Sequence, residues 1–364
     1  MSRIALLTPL IMNADAISND LYGMQQVLAE QGHDVRLFAQ NSLTTEHEIG
    51  PATEIKNFLA SRDDLLIYHY SMGWDFGLDL VRELNCRTAI KYHNITPPEY
   101  FVGYSKDYEN VCRHGRLQIK DIAQANCDLY LSDSEYNSWE LLLEGVDKSK
   151  SFVVPPFHQV DNLNRVAPDE AVLDSYVNGK TNILMVGRVA PNKGHATLIR
   201  SLAVYRAEYD PDAQLLIVGR VPDQLETYAE SLQQLIQSLK LEDAVIFTGG
   251  VSDEQLKAYY LAADFFMLAS EHEGFCVPLV EAMAMKVPII TCASSAVPST
   301  VGKAGLVWKE RSPYLLAESV NFLANDDATR AALGVRGRRR YERSFTNEMI
   351  ATAFLQALDS ISCI

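Results

Sequence analysis

The feature that most restricts the fold is an alternation running through almost the whole chain. Short apolar runs bounded by turn-forming residues alternate with longer segments whose apolar positions recur every three or four residues. In the first half the runs are RIALLTP, DVRLFAQ, LLIYHY, RTAIKYH, CDLYLSD and SFVVPP. The second half restarts the pattern with NILMVGR, QLLIVGR, AVIFTGG, DFFMLAS, VPIIT and GLVW. Strands covered on both faces read as continuous apolar runs, and amphipathic segments between them read as crossover helices, so parallel sheets are predicted. LYGMQQVLAEQG is the clearest helix, with Gly32 suited to its C-terminal stop. Between the halves, QVDNLNRVAPDEAVLDSYVNGKTN is polar and turn-rich and reads as a linker. The repeated VGR at residues 186–188 and 218–220 fits successive strand–helix units rather than a solenoid.

Composition narrows the class. A chain of 364 residues suits about two domains. The formal charge of −15 speaks against a nucleic-acid binder, which needs a basic surface. No apolar run is long enough for a membrane-spanning helix, and MSRIALLTPLI lacks the cleavage pattern of a secretory leader. Cys86, Cys112, Cys127, Cys276, Cys292 and Cys363 are scattered without a C-x-x-C pair, which favours reduced thiols and a cytoplasmic setting over zinc or disulfides. The arginines at 336, 338, 339, 340 and 343 read first as a solvated helix end, with anionic lipid as the alternative.

Two stretches carry candidate chemistry. NILMVGRVAPNKG ends a strand and enters a helix, placing Arg188 and Lys193 on a loop that Gly187 and Gly194 allow to turn. Such loops, at the carboxyl ends of parallel strands, are where open α/β sheets bind ligands, and an arginine fork and a lysine suit phosphate. The stretch is neither a Walker loop nor a G-x-G-x-x-G fingerprint. SEHEGFCVPLVEAMAMKVPII follows the strand DFFMLAS, so Glu273 also sits on a carboxyl-end loop, with Glu281 within the helix that Pro278 opens. A glutamate there usually complements the helix dipole, but carboxylates are also good acceptors for vicinal hydroxyls of a sugar or ribose.

Taken together, GRVAPNKG, VSDEQLKAYYLAADFFMLAS and Glu-x7-Glu resemble the donor half of a retaining GT-B glycosyltransferase of the GT4 (group 1) type, and the resemblance extends over nearly the whole chain. It implies two Rossmann-like parallel-sheet domains facing across a cleft: residues 1–165 on the acceptor side, 166–342 on the nucleotide-sugar side. It implies a terminal helix, 343–364, crossing back to the N-terminal domain. On the family pattern Arg188 and Lys193 hold the donor diphosphate, Glu281 the ribose and Glu273 the transferred sugar. The backbone of Phe275, Cys276 and Val277 lies near phosphates and sugar, and Gly250 and Val251 border the base. His93 in KYHNITPPEYF takes the place of a histidine beside the sugar. NADAISNDLYG stands where the family has a glycine-rich loop against the donor phosphates but lacks the paired glycines; Asp15, Ser18 and Asn19 are suited instead to capping the next helix and aiming its N–H groups at the donor, so Asp15 and Ser18 count among the expected donor-binding residues. Ser134 is most simply an N-cap. Two departures stand out: Cys276 and Lys286 occupy positions where the family usually has glycine or a small residue.

The reaction this implies is metal-independent transfer of a hexosyl group from a UDP- or GDP-sugar to a saccharide or lipid-linked saccharide acceptor, with no cofactor. Polysaccharide or glycoconjugate biosynthesis is the expected setting, in the cytoplasm, with peripheral contact to the inner membrane face left open. The only D-x-D, Asp210-Pro211-Asp212, precedes a strand and reads as a turn. A nucleotide-sugar epimerase or a non-catalytic nucleotide-sugar-binding subunit are the other classes; acceptor-dependent release of nucleoside diphosphate separates the three.

Overall fold

A computed structural model describes residues 2–13, 15–45 and 47–361; Cys363 lies outside them. Two compact units are present. The first comprises residues up to 98, 109–159 and the stretch from Asn347 onward; the second comprises 99–108 and 160–346.

The first unit holds seven strands: β1 (Arg3–Ile11), β2 (Asp34–Ser42), β3 (Ile49–Pro51), β4 (Leu65–Tyr70), β5 (Arg87–Tyr92), β6 (Leu129–Ser132) and β7 (Ser151–Val153). Their order is β3-β2-β1-β4-β5-β6-β7, every pair parallel. Every residue of β4 is buried, as expected of a central strand with helices on both faces. The helix Ala16–Glu30 follows β1 and ends in a Schellman motif. Gly32, at φ 84°, donates to Ala29, and His33 donates to Leu28. The helix Asn347–Asp359 belongs to this unit and buries Ile350, Phe354, Ala357 and Leu358 in its core.

The second unit holds β8 (Asn182–Val186), β9 (Gln214–Val218), β10 (Val245–Gly249), β11 (Phe265–Leu268), β12 (Ile289–Cys292) and β13 (Gly305–Trp308). The order β10-β9-β8-β11-β12-β13 is again parallel throughout. Chain direction across the sheet reverses at β8, so the crevice of this doubly wound sheet opens at the carboxyl ends of β8 and β11.

Two expectations need correction. The segment expected to be a linker forms helices Val160–Arg165 and Glu170–Tyr176, and Val160 and Leu163 are buried in the second unit's core. Its polar composition hid a short apolar face. The arginine cluster is not simply a solvated helix end. On the helix Asp327–Ser344, Arg338 donates to Ala284 O at 2.9 Å and Arg340 donates to Ser299 and Thr300 O. Both guanidinium groups satisfy last-turn carbonyls of neighbouring helices.

Candidate active site

In the second unit, loops after β8 and β11 converge at the switch point. Gly194, at φ 73°, has no room for a side chain: a Cβ there would lie 2.1 Å from Ala269 O. That contact seats the start of the helix His195–Glu208 directly against the end of β11. Buried Asn192 ties the loops further, accepting from Glu271 N at 2.7 Å and donating from Nδ2 to His272 O at 3.1 Å. Lys193 and Glu273 are thereby brought together. The Lys193 ammonium lies 2.8 and 2.9 Å from the two Glu273 carboxylate oxygens. Glu273 is buried, and its backbone N–H donates to Ser295 Oγ at 2.7 Å while its carbonyl accepts from Ala296 N. Beneath the pair, burial and the Lys193 charge push His195 down to about 3, so it is neutral.

Arg188 is exposed, and among the described residues no hydrogen bond or ion pair engages its guanidinium. It follows Gly187, whose N–H donates to Val218 O, and Val189 N donates to Arg220 O. Gly250 and Val251 stand at the end of β10, Gly250 exposed.

Cys276 caps the helix Val277–Ala284 in a left-handed conformation, φ 77° and ψ 76°. That accounts for the glycine expected there: a β-carbon is strained at positive φ. Lys286, at φ 60°, ends the same helix in a Schellman turn, with Lys286 N to Met283 O and Val287 N to Ala282 O. Both departures from the glycine pattern thus fall on left-handed backbone. Cys276 is buried, and desolvation followed by the nearby Glu273 holds its thiol well above the usual range, so it is not a ready nucleophile. Phe275 is a core side chain, in edge contact with Phe345 at 5.5 Å, and Thr300 holds its carbonyl. Only its backbone is available to a ligand.

Glu281 lies one helical turn in. Tyr260 donates to one of its oxygens at 2.7 Å. Burial pushes the Glu281 carboxyl up to about 7, with Tyr260 opposing and Asp253 adding to the shift.

The remaining candidates lie in the first unit. Asp15 caps the helix Ala16–Glu30, accepting from Ile17 N and Ser18 N. Ser18 is fully buried; its hydroxyl donates to Asp15 and accepts from Met12 N. The Ile17 and Ser18 N–H groups at this helix start are therefore already satisfied by a carboxylate. Asn19 accepts from Gln159. Ser134 is an N-cap, as read, accepting from Asn137 N.

His93 sits in an arrangement invisible in the sequence. Its Nδ1 is 2.9 Å from Asp133 Oδ2 and its Nε2 is 2.9 Å from His69 Nδ1. The ring centroids are 5.1 Å apart and the planes 23° apart, a separation that fits two imidazoles meeting nitrogen to nitrogen. Lys91, fully buried, lies 2.7 Å from Asp133 Oδ1 and 3.7 Å from Asp20 Oδ2, and also donates to Val154 O. Asp20 Oδ2 is 3.8 Å from each histidine, and Asp20 Oδ1 accepts from Phe157 N. Burial, then His93 and Lys91, pushes His69 well below its usual range, so it is neutral. Burial works to raise Asp133, but His93 and Lys91 hold it below the usual carboxylate value. Asp20, His69 and His93 also form a grouping of metal-ligating type. The head-on nitrogens and the neighbouring ammonium suit a shared proton better than a dication. His69 Nε2 is without a hydrogen-bond partner among the described residues. Both ring nitrogens of His93 are spent internally.

Asp210 of the D-x-D accepts from Thr181 and from Asp212 N, the turn expected of it. Asn192, Ser295, Tyr260 and Arg220 were not singled out from the sequence. Only Arg220 had a signal, the second VGR.

Residues 175–340 match the family model for glycosyl transferases group 1. Mannosylfructose-phosphate synthase of Agrobacterium fabrum is 33% identical over 183 residues, 48% of this chain and 40% of that protein. The GDP-mannose-dependent alpha-(1-6)-phosphatidylinositol monomannoside mannosyltransferase of Mycobacterium tuberculosis is 34% identical over 168 residues, 44% of this chain and 42% of that protein. These alignments span less than half the length of either relative. Among solved structures, sucrose-phosphate synthase from Thermosynechococcus elongatus superposes with a TM-score of 0.78 at 21% identity, covering 99% of both chains. HepE of Anabaena, solved with UDP, gives 0.76 at 17%, covering 99% of this chain and 100% of that one. The fold is GT-B, and residues 175–340, most of the second unit, match the glycosyl transferases group 1 family.

Proposed function

We propose that the protein is a retaining hexosyltransferase that moves a sugar from a nucleotide-sugar donor to an acceptor hydroxyl, using no metal. The observation that carries this reading is the Lys193–Glu273 pair at the switch point of the second sheet, on the loops that also carry the unpartnered Arg188 and lead into the helix of Glu281. Two cations face the place of a leaving diphosphate, and two carboxylates flank them for hydroxyls. Arg188 and Lys193 neutralise charge that grows on the diphosphate as the bond to the sugar breaks. Glu273 has lone pairs beyond those Lys193 uses, so it can accept from the transferred sugar while the pair stays intact. Glu281 accepts from the ribose through the oxygen that Tyr260 leaves open. The acceptor oxygen bonds to the anomeric carbon on the face the diphosphate leaves, and its proton passes to a diphosphate oxygen. No enzyme nucleophile is required. The backbone turn at Phe275, Cys276 and Val277 lies along phosphates and sugar, and Gly250 and Val251 lie at the base.

Asp15 and Ser18 serve this reading as a rigid turn rather than as direct ligands. His93 serves as a positioning residue, since its ring nitrogens are committed to Asp133 and His69. The donor is a UDP- or GDP-sugar, and the acceptor a saccharide or lipid-linked saccharide of polysaccharide or glycoconjugate synthesis. The likeness to relatives named for mannosyl transfer and for sugar-phosphate synthesis supports the class of reaction.

Acceptor-dependent release of nucleoside diphosphate tests it. Glu273→Gln is expected to slow transfer about 100-fold or more with little change in thermal midpoint, and Arg188→Ala to weaken both donor binding and turnover. Near-normal transfer by both variants would sink the assignment.

A further inference from the structure

The three carboxyl-end loops of the second sheet that lie on one side of the switch point are sewn into a single rim. Gly187 N donates to Val218 O, Val189 N to Arg220 O, and Gly219 N to Gly249 O. The rim is tight: a Cβ on Gly219 would lie 2.0 Å from Gly187 O. Arg188 and Arg220 hold equivalent places on it, each following the glycine that ends its strand, with Val186 and Val218 in register. Both are exposed, and neither guanidinium has a partner among the described residues.

The Arg220 side chain lies over Gly250, whose missing β-carbon leaves its place: a Cβ there would be 2.6 Å from Arg220 Nε and 2.9 Å from its Cγ. Arg220 thus reaches towards the end of β10. Along the sheet edge the functional groups follow the strand order: Glu273 after β11, Arg188 and Lys193 after β8, Arg220 after β9, Gly250 after β10. A nucleotide sugar has the same linear order of sugar, diphosphate, nucleoside. If Glu273 marks the sugar and Lys193 the diphosphate, the nucleoside falls where Arg220 rests on Gly250.

We infer that Arg220 is a donor-binding residue for the nucleoside end, its flat guanidinium held by the bare backbone of Gly250 against the base. The inference rests on the donor-site reading above. An exposed arginine without a protein partner, laid on a glycine platform, is free to stack on or hydrogen-bond to a base. Arg188 belongs to the phosphates, and Arg220 does not.

The test compares two probes on the full chain by calorimetry: the nucleoside diphosphate that binds best among UDP, GDP and ADP, and inorganic pyrophosphate. Arg220→Ala is expected to weaken the nucleotide about tenfold and leave pyrophosphate unchanged, whereas Arg188→Ala weakens both. Gly250→Ala is expected to weaken the nucleotide in the wild-type background and to add little to Arg220→Ala, because both act through the same guanidinium. Since Arg220 is exposed, its removal leaves the fold intact, which the thermal midpoint checks. Equal affinity of Arg220→Ala and wild type for the nucleotide overturns the inference alone. So does an equal loss for nucleotide and pyrophosphate, which would place Arg220 on the phosphates. If the wild-type chain binds no nucleoside diphosphate, the donor-site reading itself fails and takes this with it.

Discussion

One charged cluster of the first unit and one of the second obey opposite rules. In the first, Asp20, His69, Lys91, His93 and Asp133 form a buried circuit whose members engage mainly one another, with His69 Nε2 left over. In the second, Arg188 and Arg220 are exposed with no partner among the described residues, and Lys193 and Glu273 pair beside them at an open strand end. A closed circuit has its electrostatics settled within the fold, so its work is to hold shape and orientation. An open set has charge left for something that arrives. The difference teaches that burial and charge alone do not mark a binding group; unspent hydrogen-bonding capacity does.

The largest effect should come from breaking the closed circuit. Lys91→Ala leaves two carboxylates facing each other in the interior without their cation, and is expected to cost about 3–5 kcal/mol of stability, read from the denaturation midpoint. A loss below about 1 kcal/mol would mean water already reaches the circuit, and the contrast between units would dissolve.

A smaller effect sharpens what sets the donor loop apart. Cys276 and Lys286 bracket one helix, both in left-handed conformation. Lys286→Gly relieves that strain at an exposed turn and is expected to add up to about 1 kcal/mol, without changing donor binding. Cys276→Gly relieves the same strain but also removes a buried thiol, so its stability gain is expected to be smaller while its effect on donor affinity is larger. Equal behaviour of the two variants in both assays would show that Cys276 lies outside the donor's reach.

The remaining effect is a pH dependence. With its carboxyl raised to about 7, folded Glu281 binds a proton that the unfolded chain, at the ordinary value of 4.5, has already released in between. The stability it contributes is present below 4.5 and is lost as pH rises towards 7. Donor affinity runs the other way, because the ribose needs the ionised form as acceptor, and should rise with pH through about 7. Glu281→Gln is expected to flatten both profiles; an unchanged affinity profile would remove Glu281 from the ribose site.

Much of the fold was legible because parallel strands announce themselves. A strand such as Leu65–Tyr70, covered on both faces, has little choice but to be apolar throughout. The short edge strand Ile49–Pro51 was missed, since three residues at a sheet's rim carry no such signature. The supposed linker was misread for a related reason: the two residues that anchor the helix at 160–165, Val160 and Leu163, are lost among polar neighbours. In the candidate site, Arg188, Lys193, Glu273 and Glu281 were readable because they lie on short loops or first turns after recognisable strands. Ser295 and Asn192 were not, because a serine or asparagine in a loop is unremarkable until its partner is known.

By itself the sequence determined the class of architecture, the two sheets and the loops that carry reactive groups, because burial periodicity and strand ends are local properties of a chain. Only the tertiary structure decided which charges are spent. Lys193 meets Glu273 across 80 residues, His93 is closed off by Asp133 and His69, and Arg220 lies on Gly250. Those outcomes depend on strand order and on glycines that let backbones touch, and neither distance nor direction between remote side chains is written in the spacing of residues along the chain.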